Sequence, residues 1–161
     1  MSVWSNKHVV IATLMAPVLA LIAYFGVNTF LGETPHAAAP GESYELVEKP
    51  NCRYSSGMCG LKNGEFELTL TYQMRGTARM LLSLESVHPL EGVLLAMIEN
   101  DSDEQPPVEM QATSSDGLHW SLDLARPDPE IHRLRLVASA EGALYFGDAA
   151  TSFTLVESSE Y

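Results

Sequence analysis

The feature that most constrains this chain is a run of 23 residues, Val9 to Leu31, that contains no charged side chain. As a helix rising 1.5 Å per residue it would extend roughly 34 Å, enough to cross a hydrocarbon core of about 30 Å. A helix in a soluble core rarely stays apolar on every side over this length. We therefore expect a transmembrane helix over residues 9–31, preceded by a short tip of residues 1–8.

The charges are distributed unequally about this run. Lys7 is the only Lys, Arg, Asp or Glu before it, whereas all 21 acidic residues and the eight other basic residues follow it, giving the downstream part 8 − 21 = −13. Because cytoplasmic flanks of a span favour Lys and Arg, we expect a cytoplasmic N-terminus. The predicted location is a bacterial inner membrane, with a single pass and the remaining chain in the periplasm.

A cleaved signal peptide is the alternative interpretation of the same run. The apolar region of a signal peptide is usually about 7–15 residues long, which is shorter than this one. The candidate cleavage site, Ala37-Ala38-Ala39, is followed directly by Pro40. Since proline has a fixed φ and no N–H, it suits a protease subsite poorly, and we favour a retained anchor.

The chain beyond the run divides into a tether and one domain. Residues 32–42 mix Pro, Gly and Ala without periodicity and predict a tether, which leaves 43–161 for a single core. The whole chain has a net charge of −12. This balance argues against nucleic acid as a partner, because neutralising phosphates requires clustered Lys and Arg. It also argues against docking of the domain onto anionic lipid, so we expect lipid contact only through the anchor.

Hydrophobic alternation predicts that the domain is all-β. Phe66 to Met74 alternates apolar and polar residues, and a turn at Arg75-Gly76-Thr77 leads into a return strand. Gly92 to Ile98 is almost continuously apolar, which is typical of a covered strand. A second hairpin places Trp120 on an inward face. Strands recur every ten to fifteen residues without helical periodicity, so we predict an antiparallel immunoglobulin-like β-sandwich after the N-terminal transmembrane helix.

The two cysteines, Cys52 and Cys59, are seven positions apart with small residues between them. This spacing predicts a structural disulfide that closes a small loop, as expected outside the cytoplasm. A redox pair would usually have the spacing C-x-x-C, and a zinc site would require further ligands at short spacing.

No spacing of residues indicates catalysis, so we predict a protein that is not an enzyme and uses no cofactor. The serines and histidines show no nucleophile-elbow pattern. A run of acids resembles a calcium loop only in being acidic, because it lacks the required ligand spacing. The acids of this run are Glu99, Asp101, Asp103 and Glu104.

Copper binding is the sharper chemical alternative, because thioether and imidazole ligands suit copper outside the cytoplasm. Met58, His88, His119 and His132 are the candidates expected near a surface, and the fourth histidine beyond the run is His36. The other methionines fall where strand patterns predict core positions, and a methionine that fills a core gap is common. These are Met74, Met80, Met97 and Met110. A periplasmic metal-binding or small-ligand-binding protein is therefore the alternative function.

Interaction is the remaining class of function, and three features favour it. Leu81, Leu90, Leu94 and Val137 are expected on outward faces, where a cluster would mark a partner surface. Edge strands offer strand addition as a second route. Small residues at helical spacing in the apolar run would suit packing on a larger membrane protein. These are Ala16, Ala20 and Ala23.

A short cytoplasmic tip, one span and an outside β-domain of about a hundred residues resemble the layout of the FixH/CcoH-like accessory proteins. Trp4 and Pro17 echo the Trp–Pro pair that this family shows ahead of its span. The resemblance implies an inner-membrane protein associated with assembly of respiratory oxidases, and it assigns no functional residue. We therefore expect a non-catalytic, membrane-anchored periplasmic accessory or assembly subunit of a larger inner-membrane complex.

Overall fold

The structure is a computed structural model that describes residues 7–31, 39–99 and 106–155, with helix side chains described as far as residue 26. The chain divides into two compact units, one ending at Pro35 and a larger one beginning at His36. The first contains one helix and the second contains two β-sheets. The prediction of a mostly β domain after one apolar helix is therefore confirmed.

The first unit contains helix α1, Lys7–Leu31, with Pro17 inside it. It begins two residues before the predicted segment, and its apolar side chains are exposed over residues 9–25 except for the half-buried Val10. The Thr13 hydroxyl donates to the Val9 carbonyl at 2.9 Å, so this polar group is satisfied within the helix. By length and composition the helix could cross a membrane, and an N-terminal signal sequence would have the same properties.

The second unit has two sheets, and the first of them has five strands in the described residues. In spatial order these strands are β1 (Ser43–Glu45), β11 (Ala143–Ala150), β10 (Arg133–Ala140), β6 (Gly92–Ile98) and β7 (Val108–Glu109). Strand β1 pairs with β11 in parallel, and the other pairs are antiparallel. Strand β6 was expected to be covered, and Val93 and Leu95 are buried on its inward face, but Leu94 on its outward face is exposed.

The second sheet has six strands in the described residues, and every pairing in it is antiparallel. In spatial order they are β2 (Val47–Glu48), β3 (Met58–Asn63), β4 (Phe66–Arg75), β5 (Arg79–Ser86), β9 (His119–Ala125) and β8 (Gln111–Ala112). Strands β4 and β5 form the predicted hairpin. Its turn contains Gly76 at φ 76°, which a residue with a Cβ rarely adopts.

The buried faces of the two sheets contribute to one core. Leu68 and Leu70 of β4 are fully buried, as are Leu134 and Leu136 of β10, which confirms the inward faces expected from alternation. Trp120 is also buried, and its indole N–H donates to the Gly117 carbonyl at 2.9 Å, so its polar atom is satisfied.

Two segments cross from one sheet to the other at a buried residue. The sequence of residues 43–49, which ends before Pro50, predicts a single edge strand, but the chain leaves the five-stranded sheet at Leu46 and enters the six-stranded sheet as β2. Met110 separates β7 from β8 in the same way. The Leu46 N–H donates to the Phe146 carbonyl, and the Met110 N–H donates to the Val93 carbonyl. The prediction of one strand over residues 43–49 was wrong because Leu46 is apolar and buried at the crossing. The sequence around Leu46 therefore keeps the alternation of inward and outward side chains that one continuous strand would have.

These crossings make the outermost strands of both sheets very short. Strands β1, β2, β7 and β8 have only two or three residues each. A short edge offers few unpaired main-chain groups to an added strand. Strand addition was one of the interaction routes expected from sequence. In the described residues, the edge strands are too short to pair with more than two or three residues of an added strand.

The chain after β11 also differs from expectation. The sequence of residues 143–156 predicts a last strand or strand pair with Phe153 and Leu155 inward, but β11 ends at Ala150 and a 3-10 turn follows at Ser152–Thr154. Phe153 is fully buried as predicted, whereas Leu155 is exposed. The period-two alternation ends with β11, so these two residues do not share a face.

Candidate interaction surface

The three leucines and one valine that the sequence places outward do not form one cluster. Leu94 is exposed on β6, and the half-buried Val137 pairs with it from β10. Leu81 lies on β5 of the other sheet. The expectation for Leu90 was wrong, because it is buried in the core and its N–H donates to the Gly117 carbonyl. Leu94 and Val137 therefore remain as the predicted part of an outward surface.

Strand register adds a third apolar side chain to these two. Val137 pairs on its other side with Phe146 of β11, so Leu94, Val137 and Phe146 stand side by side across three neighbouring strands. Directly paired residues have Cβ atoms about 4.5–5.5 Å apart. Phe146 is 42% exposed and Leu94 is 43% exposed. We call these three residues the apolar row.

Both ends of the apolar row carry a carboxylate. Glu45 of β1 pairs with Phe146, and Glu109 of β7 pairs with Leu94. Both glutamates are exposed. The complete line across the five strands is therefore acid, three apolar residues and acid, with no positive charge among its positions.

Polar groups lie on the two long sides of the apolar row. On one side, Arg135 donates to both carboxylate oxygens of Asp148 at 2.9 and 3.0 Å, so this guanidinium is engaged within the sheet. On the other side, the Ser139 hydroxyl donates to the Glu91 carboxylate at 2.8 Å. Leu144, which pairs with Ser139, extends the apolar surface and is 46% exposed. An apolar centre surrounded by a polar rim is typical of a protein–protein interface.

The corresponding line across the six-stranded sheet has a different composition. It runs through Met58, Thr71, Ser83, Ser121 and Gln111, which are paired in that order across five strands. Only Met58, at one end, is apolar. The row of three adjacent apolar side chains is therefore particular to the five-stranded sheet.

Sequence reasoning missed Phe146 and Leu144 because β11 reverses the usual distribution of side chains. Three of its four buried positions are small (Ala143, Gly147 and Ala149) and the fourth is Tyr145, whereas Leu144 and Phe146 face outward. A rule that turns the larger apolar residues inward would choose the wrong face. The signal for the correct face is Asp148, which has the same parity as Leu144 and Phe146 and belongs outside.

Gly147 gives the physical reason for this reversal. A Cβ on Gly147 would lie 2.7 Å from the Leu46 carbonyl oxygen and 2.9 Å from the Leu46 Cβ. The chain crosses between the sheets at Leu46, so this close approach requires a residue without a side chain on the inward face of β11. With Gly147 inward, Phe146 must point outward.

The second feature of the domain surface is the loop closed by the predicted disulfide between Cys52 and Cys59. Both half-cystines are buried, and Tyr54 is exposed between them. The loop is held from both sides: the Asn51 side-chain oxygen accepts from the Gly60 N–H at 3.2 Å, and the Gly57 N–H donates to the Phe153 carbonyl at 3.2 Å. These contacts indicate a structural role for the bond.

Glu48 connects this loop to the five-stranded sheet. Its carboxylate accepts from Arg53 at 2.7 Å, from the Ala150 N–H at 2.9 Å and from Arg133 at 3.3 Å. Burial raises the pKa of Glu48, but the Ala150 and Arg53 hydrogen bonds and the charges of Arg133 and Arg53 outweigh it. The pKa of Glu48 therefore lies below its ordinary value.

The residues considered for copper lie on separate elements, and several have other contacts. The His88 ring stacks on Phe66 with centroids 5.9 Å apart, and His132 Nδ1 accepts from the Asp128 N–H at 2.8 Å. His119 and Met58 are exposed. In residues 7–31, 39–99 and 106–155, no group of three or more His, Cys, Asp or Glu side chains could hold a metal ion.

Some predicted residues lie outside the described ranges. His36, Asp101, Asp103 and Glu104 belong to this group. The remaining acid of the run, Glu99, is exposed just after β6. Of the four methionines expected in the core, Met80 and Met110 are buried, and Met74 and Met97 are half-buried.

No protein-family model matches the chain, and no curated protein matches it. Among solved structures, the chain is similar to the crystal structure of a Br derivative of BhCBM56, with 8% sequence identity and a TM-score of 0.40. The match covers 54% of this chain and 89% of that chain. It assigns no family.

Proposed function

We propose that this protein is a non-catalytic, membrane-anchored accessory or assembly subunit of a larger bacterial inner-membrane complex. The observation that carries the proposal is the apolar row of Leu94, Val137 and Phe146 on the outer face of the five-stranded sheet. Contiguous exposed apolar side chains with a polar rim are typical of a surface that binds another protein.

The proposal includes a location for each part of the chain. Helix α1 is the retained anchor with its N-terminus in the cytoplasm, and the β domain is an immunoglobulin-like sandwich in the periplasm. The Cys52–Cys59 disulfide supports an oxidising compartment for the domain. The single Lys7 at the start of the helix and the net charge of −13 after the helix support the orientation.

The layout of the chain suggests which complex should be tested first. A short tip, one span and one β domain resemble the FixH/CcoH-like accessory proteins, which are associated with respiratory oxidase assembly. A respiratory oxidase is therefore the first complex in which to look for this protein.

The direct test is purification from native membranes in a mild detergent through a C-terminal tag on the full chain. We expect a defined set of membrane subunits to co-purify in stoichiometric amounts with the tagged protein. A protein that purifies alone, at a yield and detergent concentration that keep other membrane complexes intact, would contradict the proposal.

A further inference from the structure

We infer that the apolar row is the docking site for a segment of a partner protein that carries apolar side chains flanked by Lys or Arg. This inference rests on the proposed function and adds to it the site and the chemistry of the partner.

The apolar side chains at the two ends of the row, Leu94 and Phe146, are exposed to solvent. Phe146 and Leu94 remain more than two-fifths exposed although each has directly paired neighbours on the same face. Apolar area of this kind remains in water in the free domain, and covering it is favourable in proportion to the area removed from water. Phe146, at one end of the row, is also aromatic, and aromatic side chains including Phe are enriched at protein interfaces.

A negative charge lies at each end of the apolar row. Glu45 and Glu109 close it on the two outermost strands, and both are exposed. The nearest cation on this face, Arg135, is bound by both oxygens of Asp148. A partner that covers the apolar row therefore meets a negative charge at each end. Lys or Arg on both flanks of an apolar segment provides the complementary arrangement, and such complementarity fixes the register of an interface.

A second copy of this chain fits the same surface poorly. In a face-to-face pair related by a two-fold axis, the row of one copy meets the same row of the other. If the axis runs along the row, Glu45 faces Glu45 and Glu109 faces Glu109; if it runs across the row, Glu45 faces Glu109. Carboxylates would face carboxylates in both arrangements, between domains that each carry a formal net charge of 8 − 19 = −11 over residues 43–161. Like charges opposed across an interface are unfavourable.

An anionic lipid surface is disfavoured for a similar reason. Binding to such a surface requires Lys and Arg near the membrane, whereas the row ends in Glu45 and Glu109. A basic and apolar protein segment is therefore the occupant to which we commit.

Photo-cross-linking in intact cells tests the site. A photoreactive amino acid would replace Phe146 in the full chain, and in a control it would replace Thr71, an exposed residue on the outer face of the other sheet. We expect position 146 to give an adduct with one peptide of another membrane protein, an apolar stretch with Lys or Arg on both flanks. Position 71 should not give this adduct. An adduct with a peptide of this same chain, an adduct with lipid, or a target peptide without basic flanks would overturn the inference.

Charge reversal tests the chemistry of the ends. The double variant Glu45→Lys with Glu109→Lys should reduce co-purification of the partner about 10-fold or more, because two attractive contacts become repulsive. The control is Glu65→Lys with Glu130→Lys, which changes the net charge equally at two exposed turn positions. It should leave the yield of the partner within about twofold. Thermal unfolding of each purified variant shows whether its fold is intact.

The outcomes separate the two proposals. If the wild-type chain purifies without a partner, the proposed function fails. If the wild-type chain retains a partner but the folded Glu45→Lys, Glu109→Lys variant retains it equally, or position 146 gives no adduct, the docking site is wrong and the proposed function stands.

Discussion

At the scale of single residues, the Glu48 carboxylate accepts three hydrogen bonds from groups that are well separated in the sequence. Its side chain is only 9% exposed, and the carboxylate binds the disulfide loop through Arg53 and the five-stranded sheet through Arg133 and Ala150. Hydrogen bonds to a charged group stabilise a fold more than those between neutral groups. Glu48 therefore connects β2, the strand that follows the crossing at Leu46, to the disulfide loop and to the five-stranded sheet.

Replacement of Glu48 by Gln should lower the free energy of unfolding at pH 7 by about 1–3 kcal/mol, as expected when hydrogen bonds to a charged group are lost. Because the folded-state pKa of Glu48 lies below its ordinary value, the wild-type protein has this contribution above the ordinary pKa of a glutamate and loses it as the pH falls through the folded pKa. Urea denaturation of the two proteins from pH 7 to pH 3 should show their stabilities converging at low pH.

The control for this prediction is Glu65→Gln, at an exposed position of the turn between β3 and β4. Its stability should match that of the wild type at every pH. A constant difference between wild type and Glu48→Gln across the range would contradict a role for the ionised carboxylate.

The disulfide leads to a second prediction at this scale. Replacement of both Cys52 and Cys59 by Ala should lower the free energy of unfolding by about 2–3 kcal/mol, since a closed loop of this length restricts the unfolded chain. Thermal unfolding followed by circular dichroism measures the loss, and the folded spectrum should remain that of a β protein. An unchanged melting temperature would show that the bond does not stabilise the domain.

At the scale of elements, strands with a local hydrophobic pattern can be predicted from the sequence. The two points at which the chain crosses from one sheet to the other cannot. The alternation from Phe66 to Met74 predicts β4, and the apolar run from Gly92 to Ile98 predicts β6 with the observed bounds. The crossings at Leu46 and Met110 are not visible, because a buried apolar residue fits equally well within one strand.

The same limit applies to the candidate surface. Leu94 and Val137 could be placed outward from their own strands, whereas Phe146 required knowledge that Gly147 lies against Leu46. Their adjacency depends on the order β11-β10-β6, which combines strands that are distant in the sequence. A contact of that kind is set by topology and register rather than by a local pattern.

Replacement of Gly147 by Ala tests the close approach at the first crossing. The added Cβ would meet the Leu46 backbone, and we expect a loss of about 1–3 kcal/mol in the free energy of unfolding, as for overpacked cores. Gly92→Ala is the matched control, because Gly92 also lies in a strand of the five-stranded sheet but has no atom within 4 Å of its added Cβ. Urea denaturation should show Gly92→Ala within about 1 kcal/mol of wild type. Equal losses in both variants would contradict the close approach.

At the scale of the whole molecule, anchoring in the membrane requires that helix α1 remains attached to the domain. The helix has the length and composition of either an anchor or a signal sequence. The apolar run is long for a signal peptide, and Pro40 follows the candidate cleavage site. These features favour retention.

Retention predicts a definite mass and a definite behaviour in fractionation. Intact-mass spectrometry of the protein purified from membranes should give the full chain of 17.6 kDa. Alkaline carbonate should leave the protein in the membrane pellet. A mass that corresponds to a chain beginning at Pro40, together with release into the soluble fraction, would show that the helix is a signal sequence.

The measurement that most directly tests the central claim compares two full-length variants in one co-purification from native membranes. Phe146→Ser removes the aromatic residue of the apolar row, whereas Val47→Ser removes an apolar side chain that is 68% exposed on β2, outside the row. We predict that Val47→Ser retains its membrane partner. The amount of partner that co-purifies with Phe146→Ser should fall at least about 10-fold, as expected for an anchor residue of an interface. Equal retention by the two folded variants would contradict docking through the five-stranded sheet.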